Sequence, residues 1–181
     1  MAYYNKGGMT MLRMSKDFYY LSIAESVSKR STCITKQYGS VIVSNDRIVS
    51  TGYNGAPRGC KNCCDDMECI RMNKKEKRGV NYADGCVSVH SEQNAIISAP
   101  QSLMEHATLY LYGYDVLRKA IVNNPDCCAL CKRMIINSGI STVIIADPDV
   151  GIPSRDLNCP YRAKIIKVAD WTEGDAIIAA Y

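Results

Sequence analysis

Short runs rich in Val, Ile and Tyr alternate along this chain with stretches whose apolar residues recur at helical spacing. That alternation is the strongest constraint on its fold. The runs are Val41–Val43, Ile48–Thr51, ATLYLYGY (107–114), STVIIAD (141–147) and AKIIKV (163–168). Phe18, Leu21, Ala24 and Val27 mark a helix from Ser15 to Arg30, with Ser15 as its N-cap. Ala95, Ile96 and Ile97 are read as the apolar side of a helix that begins at Ser91 and is limited by Pro100. Leu130, Met134 and Ile135 are read as one side of a further helix that Gly139 stops. Ser44-Asn45-Asp46 supplies turn chemistry between the first two runs, which makes them a hairpin. DVLRKAIVNNPD (115–126) reads as an insertion or hairpin, and TEGDAIIAAY (172–181) as a short terminal helix. The pattern predicts an α/β layered domain.

Nothing divides the chain. A length of 181 residues suits one domain, 47% hydrophobic residues are ample for its core, and neither a repeat nor a low-complexity tract interrupts it. The expected organisation is a single domain over 1–181, with a loose N-terminal arm at 1–14 and a polar, Cys-rich insertion at 56–87. No apolar run approaches the length of a membrane span. The stretch MAYYNKGGMTMLRM lacks a signal peptide's apolar centre, so the expectation is a cytoplasmic protein. The net charge of +4 permits an anionic ligand without demanding one. The densest basic stretch, RMNKKEKRGV (71–80), has no interleaved aromatic residues to stack on bases, which argues for a solvated loop over a nucleic-acid footprint.

Ten cysteines are the loudest compositional fact. In a reducing compartment, clustered cysteines bind metal or do redox chemistry more often than they pair. CALC (128–131) opens a helix, so Cys128 and Cys131 can face one point from its first turn, where free N–H groups favour thiolates. HSE (90–92) opens another helix with an imidazole followed by a carboxylate. Two thiolates and one imidazole leave tetrahedral zinc an open fourth position, the catalytic arrangement, whereas a structural site is closed by a fourth protein ligand. Glu92 can then take a proton from water activated there and deliver it to a substrate nitrogen. Either motif alone is weak. Together they form the signature of zinc nucleobase deaminases. His106 has no such partner pattern and is read as structural or surface.

The chain resembles the deoxycytidylate (dCMP) deaminases within the cytidine deaminase-like superfamily, over roughly Ser15 to Ile145. The likeness rests on RSTC (30–33), YGSVIV (38–43), STGYNGAPRG (50–59), CDDMECIR (64–71), HSEQNAI (90–96) and CALCKRMIINSGI (128–140). It implies a three-layer α/β/α fold with a five-stranded mixed sheet, and zinc-dependent hydrolysis of dCMP to dUMP, the supply for dTMP synthesis. His90, Cys128 and Cys131 match its zinc ligands and Glu92 its proton shuttle. Asn54 matches a residue that reaches into the substrate pocket, and backbone groups at Ser91 and Cys128 would hold the pyrimidine ring. The resemblance also implies a homo-oligomer, dimer to hexamer, regulated by dCTP and dTTP through a site that includes Gly52, Tyr53, Asn54 and Gly55. Cys127 competes with Cys128 as a ligand at spacing four; the resemblance favours Cys128 because it keeps the helix in the family's register. Most members have Ala where this chain has Ser91, an exchange expected to matter little if the position acts through its backbone N–H. The chain departs from the resemblance at ADPD (146–149), where some relatives carry a tyrosine near the substrate, and in a longer insertion from Gly113 to Asn124.

Arg30, Ser31, Thr32 and Lys36 cluster between the first helix and the first strand, and their chemistry suits the 5′-phosphate of a nucleotide. The same reaction on dCTP, cytidine or a base in RNA is the alternative. A zinc-braced module without activity would have no use for Glu92. The remaining cysteines suggest a second, closed zinc site of Cys33, Cys63, Cys69 and Cys86, which would pin the 56–87 loop onto the folded layer. Cys64 is an open alternative to Cys63.

Overall fold

The computed structural model describes residues 2–5, 8–11, 13–73, 85–154 and 159–172. The terminal helix expected after Thr172, residues 74–84 of the Cys-rich segment and most of the basic stretch lie outside them. Ala2–Asn5 (β1) and Gly8–Met11 (β2) pair with each other as an antiparallel hairpin apart from the main sheet, so the arm has pairing of its own.

The helix α1 spans Lys16–Ser28, and Ser15 Oγ accepts a hydrogen bond from the Phe18 N–H. The strands that follow are β3 (Lys36–Ser44), β4 (Arg47–Tyr53), β5 (Thr108–Asp115), β6 (Ala120–Ile121), β7 (Thr142–Asp147), β8 (Ile152–Pro153) and β9 (Arg162–Lys167). They make one seven-stranded mixed sheet in the order β4-β3-β5-β7-β9-β8, with β6 paired to β5. The β5–β7 pair is parallel; the others are antiparallel. The expected count of five is thereby corrected. The expected strands are all present, and two strands of two residues extend the sheet. One folds back from the insertion onto the end of β5, which makes that insertion a hairpin, and the other comes from the loop after β7. Asn45 (φ 49°) and Asp46 (φ 62°) turn β3 into β4, a left-handed pair of positions that Asn and Asp tolerate.

Alternation along the strands sorts the core into two faces. Val41, Val43, Tyr110, Tyr112, Ile144 and Ala146 pack beneath α1 with Phe18, Leu21 and Ala24. Ile42, Leu109, Leu111, Val143 and Ile145 point the other way, towards the helices α4 (Ser91–Ile97) and α5 (Ala129–Asn137). The layers are therefore helix, sheet, helix. Gly52 lets α4 lie directly on β4, where a Cβ would collide with the backbone of Ser91 and Ala95. Gly139, at φ +81°, ends α5 as expected.

The apolar sides assigned to α4 and α5 need adjustment. On α4 the buried residues are Ser91, Glu92 and Ala95, while Ile97 is exposed. On α5 they are Ala129, Cys131, Lys132 and Ile135, while Leu130 is exposed. Among its described residues the Cys-rich segment contains two single-turn helices, α2 (Cys63–Asp66) and α3 (Ile70–Asn73), the first begun by the Asp65 carboxylate accepting from the Asn62 N–H.

Candidate metal centre

Parallel pairing of β5 with β7 requires a crossover, and α5 provides it, so the N-terminus of α5 lies at the end of the sheet where β5 finishes. Cys128 is the N-cap of α5, and its Sγ accepts the Cys131 N–H at 3.5 Å. His90 is the N-cap of α4, with its own N–H donated to Gln93 Oε1 at 2.9 Å. A bridge between Gly55 and Val89 ties the approach to His90 to the chain just past β4. Two helix starts, far apart in sequence, thus face each other.

His90 Nδ1 lies 3.4 Å from Cys128 Sγ and 3.3 Å from Cys131 Sγ. These three ligand atoms lie within 4.8 Å of one another, the one such group of His, Cys and carboxylate side chains among the described residues. Zinc bonds of about 2.0 Å to nitrogen and 2.3 Å to sulfur in a tetrahedron place N and S roughly 3.6 Å apart, so the donor set and its spacing fit zinc with one position left open. Cys131 donates to Cys128, which holds the Cys128 thiol down at about 4 despite its burial and raises Cys131. The pair carries negative charge at the point a dication would occupy. Burial works against the charged form of His90, but its bond to Cys128 and the nearby Glu92 carboxylate outweigh burial and raise its pKa. Cys127 is fully buried outside this trio, and burial followed by the Glu92 charge pushes its thiol well up. The geometry thus joins Cys128, not Cys127, to His90.

Glu92 is 5% exposed and close enough to His90, Cys127 and Cys131 to influence each of them. Its Oε2 accepts the Ser91 hydroxyl at 2.9 Å, and Ser91 Oγ accepts from Ser40 Oγ at 2.8 Å.

Behind α5, Lys132 is buried, with Nζ 2.9 Å from Asp126 Oδ2 and 5.1 Å from the centre of the Trp171 ring. Asp126 Oδ1 accepts the Cys127 N–H, and Lys164 Nζ donates to the Pro125 carbonyl at 3.2 Å. Two lysines therefore hold the loop that delivers Cys128. Neither was singled out in the sequence.

The residues expected around the substrate converge in part. Ser31 Oγ donates to Asn54 Oδ1 at 2.6 Å, and Thr32 N–H donates to the Asn54 carbonyl. Thr32 Oγ1 is buried with no hydrogen-bond partner among the described residues. Asn54 is more firmly built in than its expected role suggested: Oδ1 also accepts the Tyr38 N–H at 2.7 Å, and Nδ2 donates to the Lys36 carbonyl at 2.9 Å. Tyr53 is exposed, with the Arg30 guanidinium 6.0 Å above its ring. His106 is exposed, as expected. Cys33 Sγ accepts the Lys36 N–H, and the Cys63 thiol is raised first by burial and then by Cys33, Cys69, Cys86 and Cys64.

A family model described as the zinc-binding region of cytidine and deoxycytidylate deaminases matches residues 14–147. The deoxycytidylate deaminase of Mycobacterium phage D29 is 35% identical over 138 residues, covering 74% of this chain and 96% of the phage protein. That of Saccharomyces cerevisiae is 32% identical over 135 residues, covering 74% of this chain but only 38% of the yeast protein. In structure, the chain is similar to the apo dCMP deaminase of cyanophage S-TIM5, with a TM-score of 0.50 at 24% identity, over 72% of this chain and 82% of that one. This last likeness speaks to the fold.

Proposed function

Since the chain belongs to the family of cytidine and deoxycytidylate deaminases, we propose that it hydrolyses dCMP to dUMP and ammonia. The observation that carries the reading is the convergence of His90 Nδ1 and the Cys128 and Cys131 sulfurs beside the buried Glu92. Zinc bound by these three residues would supply water of much lowered pKa, ~7. Glu92 accepts a proton as water adds to C4 of the ring, passes it to N3, and serves the departing amino group in the same way. A C4–O bond forms, the C4–N bond breaks, and ammonia leaves. The Ser91 and Cys128 backbones would hold the ring, and burial around Glu92 keeps bulk water from competing for its proton.

The 5′-phosphate is assigned to the Arg30–Lys36 segment. The buried, unpartnered Thr32 hydroxyl supports this, because such a group suits a ligand's hydrogen bond. In this reading Asn54 shapes the pocket by holding Ser31, Thr32 and Lys36 in place. Turnover compared on dCMP, dCTP, cytidine and RNA tests the substrate. The expected order puts dCMP first; faster turnover of cytidine would remove the phosphate from the account.

The wider features belong to the same proposal. Effector binding by dCTP and dTTP at Gly52–Gly55 would use the exposed Tyr53 ring with Arg30 beside it, and assembly would be a homo-oligomer. No helix among the described residues is long and apolar enough to cross a membrane, and thiolate ligands suit the reducing cytoplasm. A second, structural zinc is assigned to Cys33, Cys63, Cys69 and Cys86. The electrostatic influence of Cys33, Cys69 and Cys86 on the Cys63 thiol, and the N–H donated to Cys33 Sγ, support it; the four sulfurs are not gathered within 4.8 Å of one another as the His90 trio is, and Cys64, which acts on Cys63 as well, stays the alternative ligand. Metal analysis decides it: about two zinc per chain are expected, and one zinc with these thiols freely reactive contradicts it.

A further inference from the structure

The helix α4 meets the sheet with polar residues where its apolar side was expected. Ser40 and Ser91 are wholly buried and Glu92 is 5% exposed. Buried polar groups require partners, and here they partner one another. Ser40 Oγ donates to Ser91 Oγ at 2.8 Å, and Ser91 Oγ donates to Glu92 Oε2 at 2.9 Å. A hydroxyl has one hydrogen to give: Ser91 gives its own to the Glu92 carboxyl oxygen, which leaves the Ser91 oxygen free to accept from Ser40. Each donor polarises the next in a site that excludes water.

We propose that the Ser91 hydroxyl, oriented by Ser40, is a positioning residue for Glu92. It fixes one carboxylate oxygen and leaves the other as the single carrier of protons. The anchor is rigid: Ser40 lies in β3, paired on one side with Gly52 and on the other with Leu111 in β5. A glutamate has several freely turning side-chain torsions, and a donor at Oε2 removes the rotations that would swing the carboxylate away from His90 and Cys131. The side chain at position 91 therefore acts on the reaction, whereas the exchange of Ala for Ser was expected to matter little if the position works through its backbone N–H. This purpose rests on the deaminase reading, but the contact can be measured without it.

Chemical unfolding of the purified full-length protein at matched zinc content provides the first arm, as a cycle of wild type, Ser91→Ala, Glu92→Gln and the double variant. The contact predicts non-additivity, with Ser91→Ala lowering the unfolding midpoint more in the wild-type background than in the Glu92→Gln background. In the second arm, zinc-loaded Ser91→Ala should keep its zinc content and a KM within about twofold, while kcat falls about 10- to 100-fold, the scale of a misplaced catalytic group. Ser40→Ala should lower kcat in the same direction by less. Additive unfolding, an unchanged kcat in Ser91→Ala, or a loss of zinc that accounts for the lost turnover each overturns the proposal. A non-additive cycle in a protein whose wild type deaminates nothing would instead refute the deaminase reading, and with it the purpose of the contact.

Discussion

Cys131 Sγ lies 3.3 Å from His90 Nδ1, although 41 positions of sequence separate the two residues. The contact exists because two helices begin at the same end of the sheet, each with a ligating residue in or beside its cap. Cys131→Ala should therefore lose bound zinc and turnover together. Cys127→Ala, one residue before the ligand pair, should keep both. Metal analysis of the two purified variants checks this, and zinc lost from the Cys127 variant would shift the ligand register by one residue.

Asn54→Ala should destabilise the protein as well as impair it. The substitution strips the Tyr38 N–H of its acceptor and the Lys36 carbonyl and Ser31 hydroxyl of a partner. A single buried backbone group left unpaired costs about 1–3 kcal/mol. Asn54→Asp retains the acceptor and loses the amide donor, so it should be the milder change. Urea denaturation of both variants reads the difference, and an Asn54→Ala protein as stable as wild type would contradict this bonding role.

Asp126→Ala should leave the Lys132 ammonium buried without its carboxylate. The expected loss is on the order of 2–3 kcal/mol, below that of a wholly buried pair because the Asp126 side chain is 38% exposed. Asp126→Asn keeps an acceptor for the Cys127 N–H and should cost less. Unfolding midpoints of the two variants test the order, and equal stability of Asp126→Ala and wild type would contradict it.

Much of this could be read from residue spacing. The strand runs at 41–43, 48–51, 107–114, 141–147 and 163–168 match strands of the sheet to within one residue at their ends, because strands covered on both faces read as short, nearly continuous runs rich in Val, Ile and Tyr. The convergence of His90, Cys128 and Cys131 was legible because a metal site would restrict both residue type and spacing. The two-residue strands β6 and β8 were not legible, since pairing that short is decided by the neighbouring strand. The buried face of α4 was misread because polar residues occupy it. Its first turn buries Ser91 and Glu92, so the apolar pattern pointed to Ile97, which is exposed. Lys132 was missed because burial of a lysine depends on Asp126 and Trp171, which no local pattern reveals.

The central claim is that Glu92 moves protons at a zinc site on a cytosine nucleotide. Its most direct test is ammonia and dUMP release from dCMP, followed by ultraviolet absorbance, for wild type and Glu92→Gln at matched zinc content. The amide cannot shuttle a proton, so turnover should fall by at least about 10²- to 10⁴-fold with zinc and fold retained. Near-normal turnover in the Glu92→Gln protein would contradict the account.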